Sequence, residues 1–149
     1  MALPKSVTKI KRNGVEFTSN VDRAQYTLQE LCRAALRDTA KFLRKRLIQK
    51  YKALPGMKRS KRIYSSTQWW LRKKEGDLQI GHKHDTWYGV KSELGANGQP
   101  ARNILRETVY ENINEIRLIQ GKYLSAIEDE NRALGLIDES ESKSGDGPE

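Results

Sequence analysis

The chain reads as an α+β protein: a small antiparallel sheet, made of a three-stranded meander plus an N-terminal hairpin, packed against two long helices. Three observations predict this. Asn13-Gly14 separates two short runs rich in β-formers. Two long stretches, about 22–54 and 101–133, repeat apolar residues at the three–four spacing of one helical face. Between them, 68–91 holds three aromatic and β-branched runs separated by turn signals.

Asn-Gly tolerates the positive φ at both positions that a type I′ turn demands. With that turn Ile10 faces Phe17 and Lys11 faces Glu16, so one face is apolar and the other carries an ion pair. Along the first helix apolar residues recur at Leu28, Leu31, Ala35, Leu36, Thr39, Phe42, Leu43 and Leu47, with Tyr51 and Leu54 extending the row of one face. Ser19 or Asn20 can cap it, and Pro55-Gly56 stops it. At 1.5 Å per residue its length is roughly 45–50 Å, more than a small core can cover. Residues 55–66 read as a mobile basic loop. The meander runs Gln68–Lys74, Asp77–Lys83 and Thr86–Lys91, with turns at Glu75-Gly76 and His84-Asp85. This spacing sets Leu71 opposite Ile80 and Trp70 opposite Gly81, with Trp69, His82 and Trp87 in one row. The second helix starts after Pro100, whose missing N–H costs nothing there, and ends near Gly135. One domain spans 1–137, with 1–20 as its hairpin extension, and 138–149 is an acidic flexible tail.

Composition narrows the partners. The net charge of +9 is split: residues 1–84 hold 21 Lys/Arg against 6 Asp/Glu, and residues 85–149 hold 7 against 13. The asymmetry suits a polyanion partner for the first part, or copies packed basic side to acidic side. No apolar run approaches the roughly 18 residues of a membrane span. The N-terminus has no apolar signal region, and a lone Cys32 suits a reducing cytosol.

Catalytic and metal motifs are weak. His82 and His84 are two apart, but His84 opens a turn and no third ligand is close in sequence, whereas metal sites usually take three or four. The expectation is His82 stacked between tryptophans and His84 in the turn. Ser65, Ser66 and Ser92 lie in no G-x-S-x-G elbow. Glu128-Asp129-Glu130 point different ways on a helix, and no phosphate-binding loop is present. No enzyme, cofactor or metal is expected. The basic stretch offers the rival reading, a non-specific nucleic-acid-binding protein using residues 41–74. There Lys58, Arg59, Lys61 and Arg62 neutralise phosphates beside Tyr64, Trp69 and Trp70, which can stack on bases. Trp69 and Trp70 alternate faces, so one faces the core and the other solvent or an interface.

One segment carries a resemblance. Trp87-Tyr88-Gly89-Val90-Lys91-Ser92-Glu93-Leu94-Gly95, followed by Gln99-Pro100-Ala101-Arg102-Asn103-Ile104-Leu105-Arg106, is similar to a recurring pattern. In that pattern an aromatic strand ends in Glu-x-Gly, and a short loop leads to Pro-Ala-Arg-Pro-Phe-Leu before the last helix. It resembles the head–tail joining family of long-tailed bacteriophages and prophages, also called neck or tail-completion proteins. The resemblance covers roughly 22–133. Asn103 replaces the second proline and Ile104 the aromatic, while Gly98-Gln99 replaces the commoner residues before Pro100. Pro100 still fixes the helix entry, and Arg102 is expected to reach back to Glu93 as a clamp across the loop.

The resemblance implies a non-enzymatic virion protein, assembled in the host cytoplasm as a ring in the neck. Its partners would be other copies, portal-side connector proteins and tail terminator or tail-tube proteins. DNA passing through the lumen would touch it transiently. Lys58, Arg59, Lys61 and Arg62 would line the lumen or grip a neighbour. Trp69, Trp70 and Trp87 would make contacts between subunits.

Overall fold

The computed structural model describes residues 8–54, 61–96 and 98–142. The fold is α+β, with six helices and two two-stranded antiparallel sheets among the described residues. In order these are β1 (Thr8–Arg12), β2 (Val15–Ser19), α1 (Val21–Ala53), α2 (Lys61–Ser66), β3 (Thr67–Arg72) and β4 (Asp77–His82). Then follow α3 (Trp87–Leu94), α4 (Ile104–Glu111), α5 (Ile113–Leu124) and α6 (Glu130–Ser142). The chain divides into two compact units, one of residues 1–35 and 121–149 and the other of residues 36–120.

In the first unit β1 and β2 pair in the expected register, Ile10 with Phe17 and Lys11 with Glu16. Asn13 and Gly14 both adopt positive φ, 52° and 79°, as the tight turn requires. Leu31, Ala34, Tyr123, Ala126, Ala133, Leu136 and Ile137 are buried. The expected stop at Gly135 and flexible tail from 138 do not hold through Ser142, because α6 continues and buries Ile137 and Ser140. Residues 143–149 lie outside the described residues.

The second unit holds the rest of α1, then α2 to α4 and most of α5. Leu47, Tyr51, Ile63 and Ile104 form its core cluster, with Ile80, Tyr88 and Leu105 packed against them. Three expectations are corrected here. The basic loop does not reach residue 66, because 61–66 is helical and buries Ile63; residues 55–60 lie outside the described residues. The β3–β4 register differs by two: Trp69 faces Ile80, Trp70 faces Gln79 and Leu71 faces Leu78. Arg72, paired with Asp77 and Glu75, closes the ladder, and Lys73–Gly76 form a longer turn in which Gly76 takes φ 66°. A two-residue shift preserves the alternation of faces, so the apolar side of the hairpin is unchanged.

The third correction is larger. The expected strand 86–91 is the helix α3, so the sheet has two strands and Trp69, His82 and Trp87 do not form a row. Thr, Trp, Tyr and Val favour strands only when cross-strand partners reward them. Here Gly89 and Glu93, one turn apart, are the buried side of a helix. The long second helix is likewise three pieces. It begins at Ile104 rather than Ala101, breaks at Asn112, and ends at Leu124. After a turn, Asp129 accepts from the backbone N–H groups of Asn131 and Arg132 at 3.0 and 3.3 Å and caps α6.

Candidate functional site

A buried polar node in the second unit ties five elements together. Tyr51 lies on the apolar row of α1, so its ring is carried into the core and its hydroxyl needs a partner there. The hydroxyl donates to Glu93 Oε1 of α3 at 2.7 Å. It lies 3.0 Å from His82 Nε2 at the end of β4. Since its hydrogen goes to Glu93, the phenol oxygen accepts from Nε2–H, which makes His82 the Nε2 tautomer. The imidazole meets the phenol edge-on, centroids 5.3 Å apart. Ser66, at the end of α2, donates to Ile63 O at 2.8 Å and stands 3.4 Å from His82 Nδ1. The expected stacking of His82 between tryptophans gives way to this pairing, and His84 does sit in the turn.

Glu93 completes the joint. Its two oxygens accept the backbone N–H of Leu105 at 3.3 and 3.1 Å. That N–H is one of the unpaired donors in the first turn of α4, so a carboxylate from another helix caps α4 at its positive end. Backbone bonds reinforce it, Arg102 N to Ser92 O at 3.0 Å and Asn103 N to Glu93 O at 3.2 Å. Gly95 turns the chain between them at φ 76° and ψ 143°. A Cβ there would stand 2.9 Å from Ala101 N and Gln99 O. Asn103 enters α4 in the left-handed region.

The clamp expected between Glu93 and Arg102 is therefore made with other groups. Glu93 is 8% exposed and holds Tyr51 and Leu105, while Arg102 is exposed and contributes its backbone N–H. Desolvation pushes the Tyr51 phenol far up from its ordinary value, and the hydrogen bond to Glu93 adds to the rise. Burial lowers His82, and the Glu93 charge opposes it more weakly. Burial in the node thus favours the neutral imidazole and the protonated phenol over their charged forms. Ser66 is 5% exposed with its hydroxyl committed to Ile63, so it is not presented as a nucleophile. Among the described residues, no buried side-chain nitrogen or oxygen lacks a partner, and no three His, Cys, Asp or Glu are grouped to hold a metal.

The remaining expected residues are scattered. Trp69 is half-buried on β3; Trp70 is 42% exposed and lies over Gly81; Trp87 is 65% exposed. Lys61 and Arg62 open α2, and Lys58 and Arg59 lie outside the described residues. Pro100 is exposed ahead of α4. Several cations of α1 have partners within the chain. Arg44 donates to Thr67 O, Lys50 pairs with Glu111, Arg46 lies over Phe42, and Lys52 lies over Tyr64.

Two surfaces stand out. Trp87, Val90 and Leu94, spaced i, i+3, i+7, leave α3 with an outward apolar stripe, 65%, 56% and 73% exposed. Lys91 Nζ lies 4.7 Å from the Trp87 ring centroid. In the first unit a groove of about 350 Å³ is lined by Leu28, Leu31 and Ile127, with Arg23, Glu128 and Glu130 around it. No helix among the described residues is long and apolar enough to cross a membrane.

Sequence reasoning missed Tyr51 and Ser66 as polar partners. The available signal was a phenol on a buried helical row, whose hydroxyl must be satisfied. Compared with known proteins, the chain matches no family model, no curated sequence and no solved structure.

Proposed function

We propose that the protein is a structural subunit of the head–tail interface of a long-tailed phage or prophage. It assembles as a ring that joins the portal-side connector to the tail and lets DNA pass. The observation that carries this reading is the α3 stripe, Trp87, Val90 and Leu94, held outward by a helix anchored through Glu93. It lies within the segment that resembles the neck family. Exposed large apolar side chains on a rigid, saturated scaffold suit permanent protein contacts. The node supports a mechanical role, because its groups are consumed in holding α1, α2, β4, α3 and α4 to one another.

DNA contact in this reading is transient. Arg23, Arg33 and Lys50 of α1 are paired with Glu130, Glu30 and Glu111 within the chain, which leaves fewer α1 cations to neutralise phosphates. The direct test is deletion of the gene from the phage or prophage that carries it, followed by electron microscopy. Separate filled heads and free tails are expected. Normal virions, or a gene with no portal, capsid or tail genes beside it, would move the reading to a nucleic-acid-binding protein.

A further inference from the structure

We infer that the α3 stripe of one copy docks into the groove of the first unit on a second copy. The inference rests on the ring reading and names the two faces that meet. Both faces are apolar. On one side stand Trp87, Val90 and Leu94; on the other, Leu28 and Ile127 are 42% and 48% exposed at the groove. Their charges are opposite. Lys91 lies over Trp87, exposed Lys83 precedes α3, and exposed Arg102 is bonded to Ser92 through its backbone, with Asp85 the acid beside them. Glu128 and Glu130 line the groove, both exposed. Arg23 bridges Glu130 at 2.6 Å and leaves Glu128 as the uncompensated charge of the lining.

Two different faces meeting make a heterologous contact, which repeats from copy to copy and closes as a ring when the rotation allows. Association need not exchange any element, because each face is already formed in the single chain. Apolar anchors supply affinity, and the opposed charges set orientation and speed encounter.

The test uses the full chain and two variants at exposed positions, L28E in the groove and V90E/L94E on the stripe. Each alone is expected to weaken self-association at least about tenfold in sedimentation velocity. Circular dichroism and the denaturation midpoint check that both stay folded. Mixed, the two retain one intact groove and one intact stripe, so they are expected to form a capped dimer and nothing larger. Wild-type association with no dimer in the mixture would overturn the inference. Loss of association in V90E/L94E but not in L28E would also overturn it, showing that stripes pair with stripes. A wild-type chain that stays monomeric over the whole concentration range would overturn it as well. None of these outcomes touches the ring reading, which stands or falls on virions lacking the protein.

Discussion

Glu93 and Arg102 separate what a motif suggests from what a side chain does. The carboxylate is buried and takes one hydroxyl and one helix-terminal N–H, whereas the guanidinium is exposed. Glu93→Ala is expected to cost about 2–3 kcal/mol, because it leaves the Leu105 N–H and the Tyr51 hydroxyl unpaired. Arg102→Ala is expected to change stability by less than about 0.5 kcal/mol, as surface changes usually do. Urea denaturation of both variants checks the pair; equal costs would restore the Arg102 clamp. His82 makes the node sensitive to acid. Its folded value lies below the ordinary 6.5, so its contribution is complete above that value and is lost as pH falls beneath it. The wild-type midpoint should therefore drop between about pH 7 and about pH 5 by more than that of His82→Gln. Tyr51 works in the opposite sense. Its folded value is raised, so its contribution holds below its ordinary value of 10 and fades as pH rises above it. In an ultraviolet titration, one of the six tyrosines is expected to ionise only as the chain unfolds.

At the scale of elements, close approach decides α3. A Cβ on Gly89 would stand 2.9 Å from His82 Cδ2, so Gly89→Ala must push the imidazole away from Tyr51. The expected cost is about 1–3 kcal/mol, and it should come with a changed histidine ring signal in NMR. Gly95→Ala combines a φ of 76° with contacts to backbone atoms that cannot turn aside. Its expected cost is about 2–3 kcal/mol, read as a lower thermal midpoint. Gly135 is a useful control, because a Cβ there meets nothing within 4 Å and its φ is ordinary. Gly135→Ala on the exposed side of α6 is expected to stabilise by up to about 1 kcal/mol.

At the scale of the whole molecule, charge and exposed apolar surface are what the proposed assembly would use. Cations around the exposed side of α3 and acids beside the groove suit copies that meet through unlike surfaces. Short duplex DNA should bind the free chain only weakly, with Kd of about 1 μM or higher at physiological salt, and binding should fade steeply as salt rises. Fluorescence anisotropy over a salt series checks this. Nanomolar binding at physiological salt would contradict a lumen through which DNA slides.

Much of this protein follows from local rules that act within a few residues. The Asn13-Gly14 hairpin and its register, the span of α1, and the alternation of faces on β3 and β4 all came through in the fold. Turn φ, the 3.6-residue period and the two-residue period are set by the backbone, so a sequence displays them directly. Tertiary structure alone decided the rest. The β-formers of 86–91 became a helix because Gly89 fits against His82 and Glu93 reaches two partners, Tyr51 being 42 residues away in sequence. Pro100 marked a helix start, yet α4 begins at Ile104, where a carboxylate from α3 satisfies the N–H of Leu105. Burial of polar groups forces such pairings, and which groups meet depends on the packed chain rather than on their neighbours in sequence.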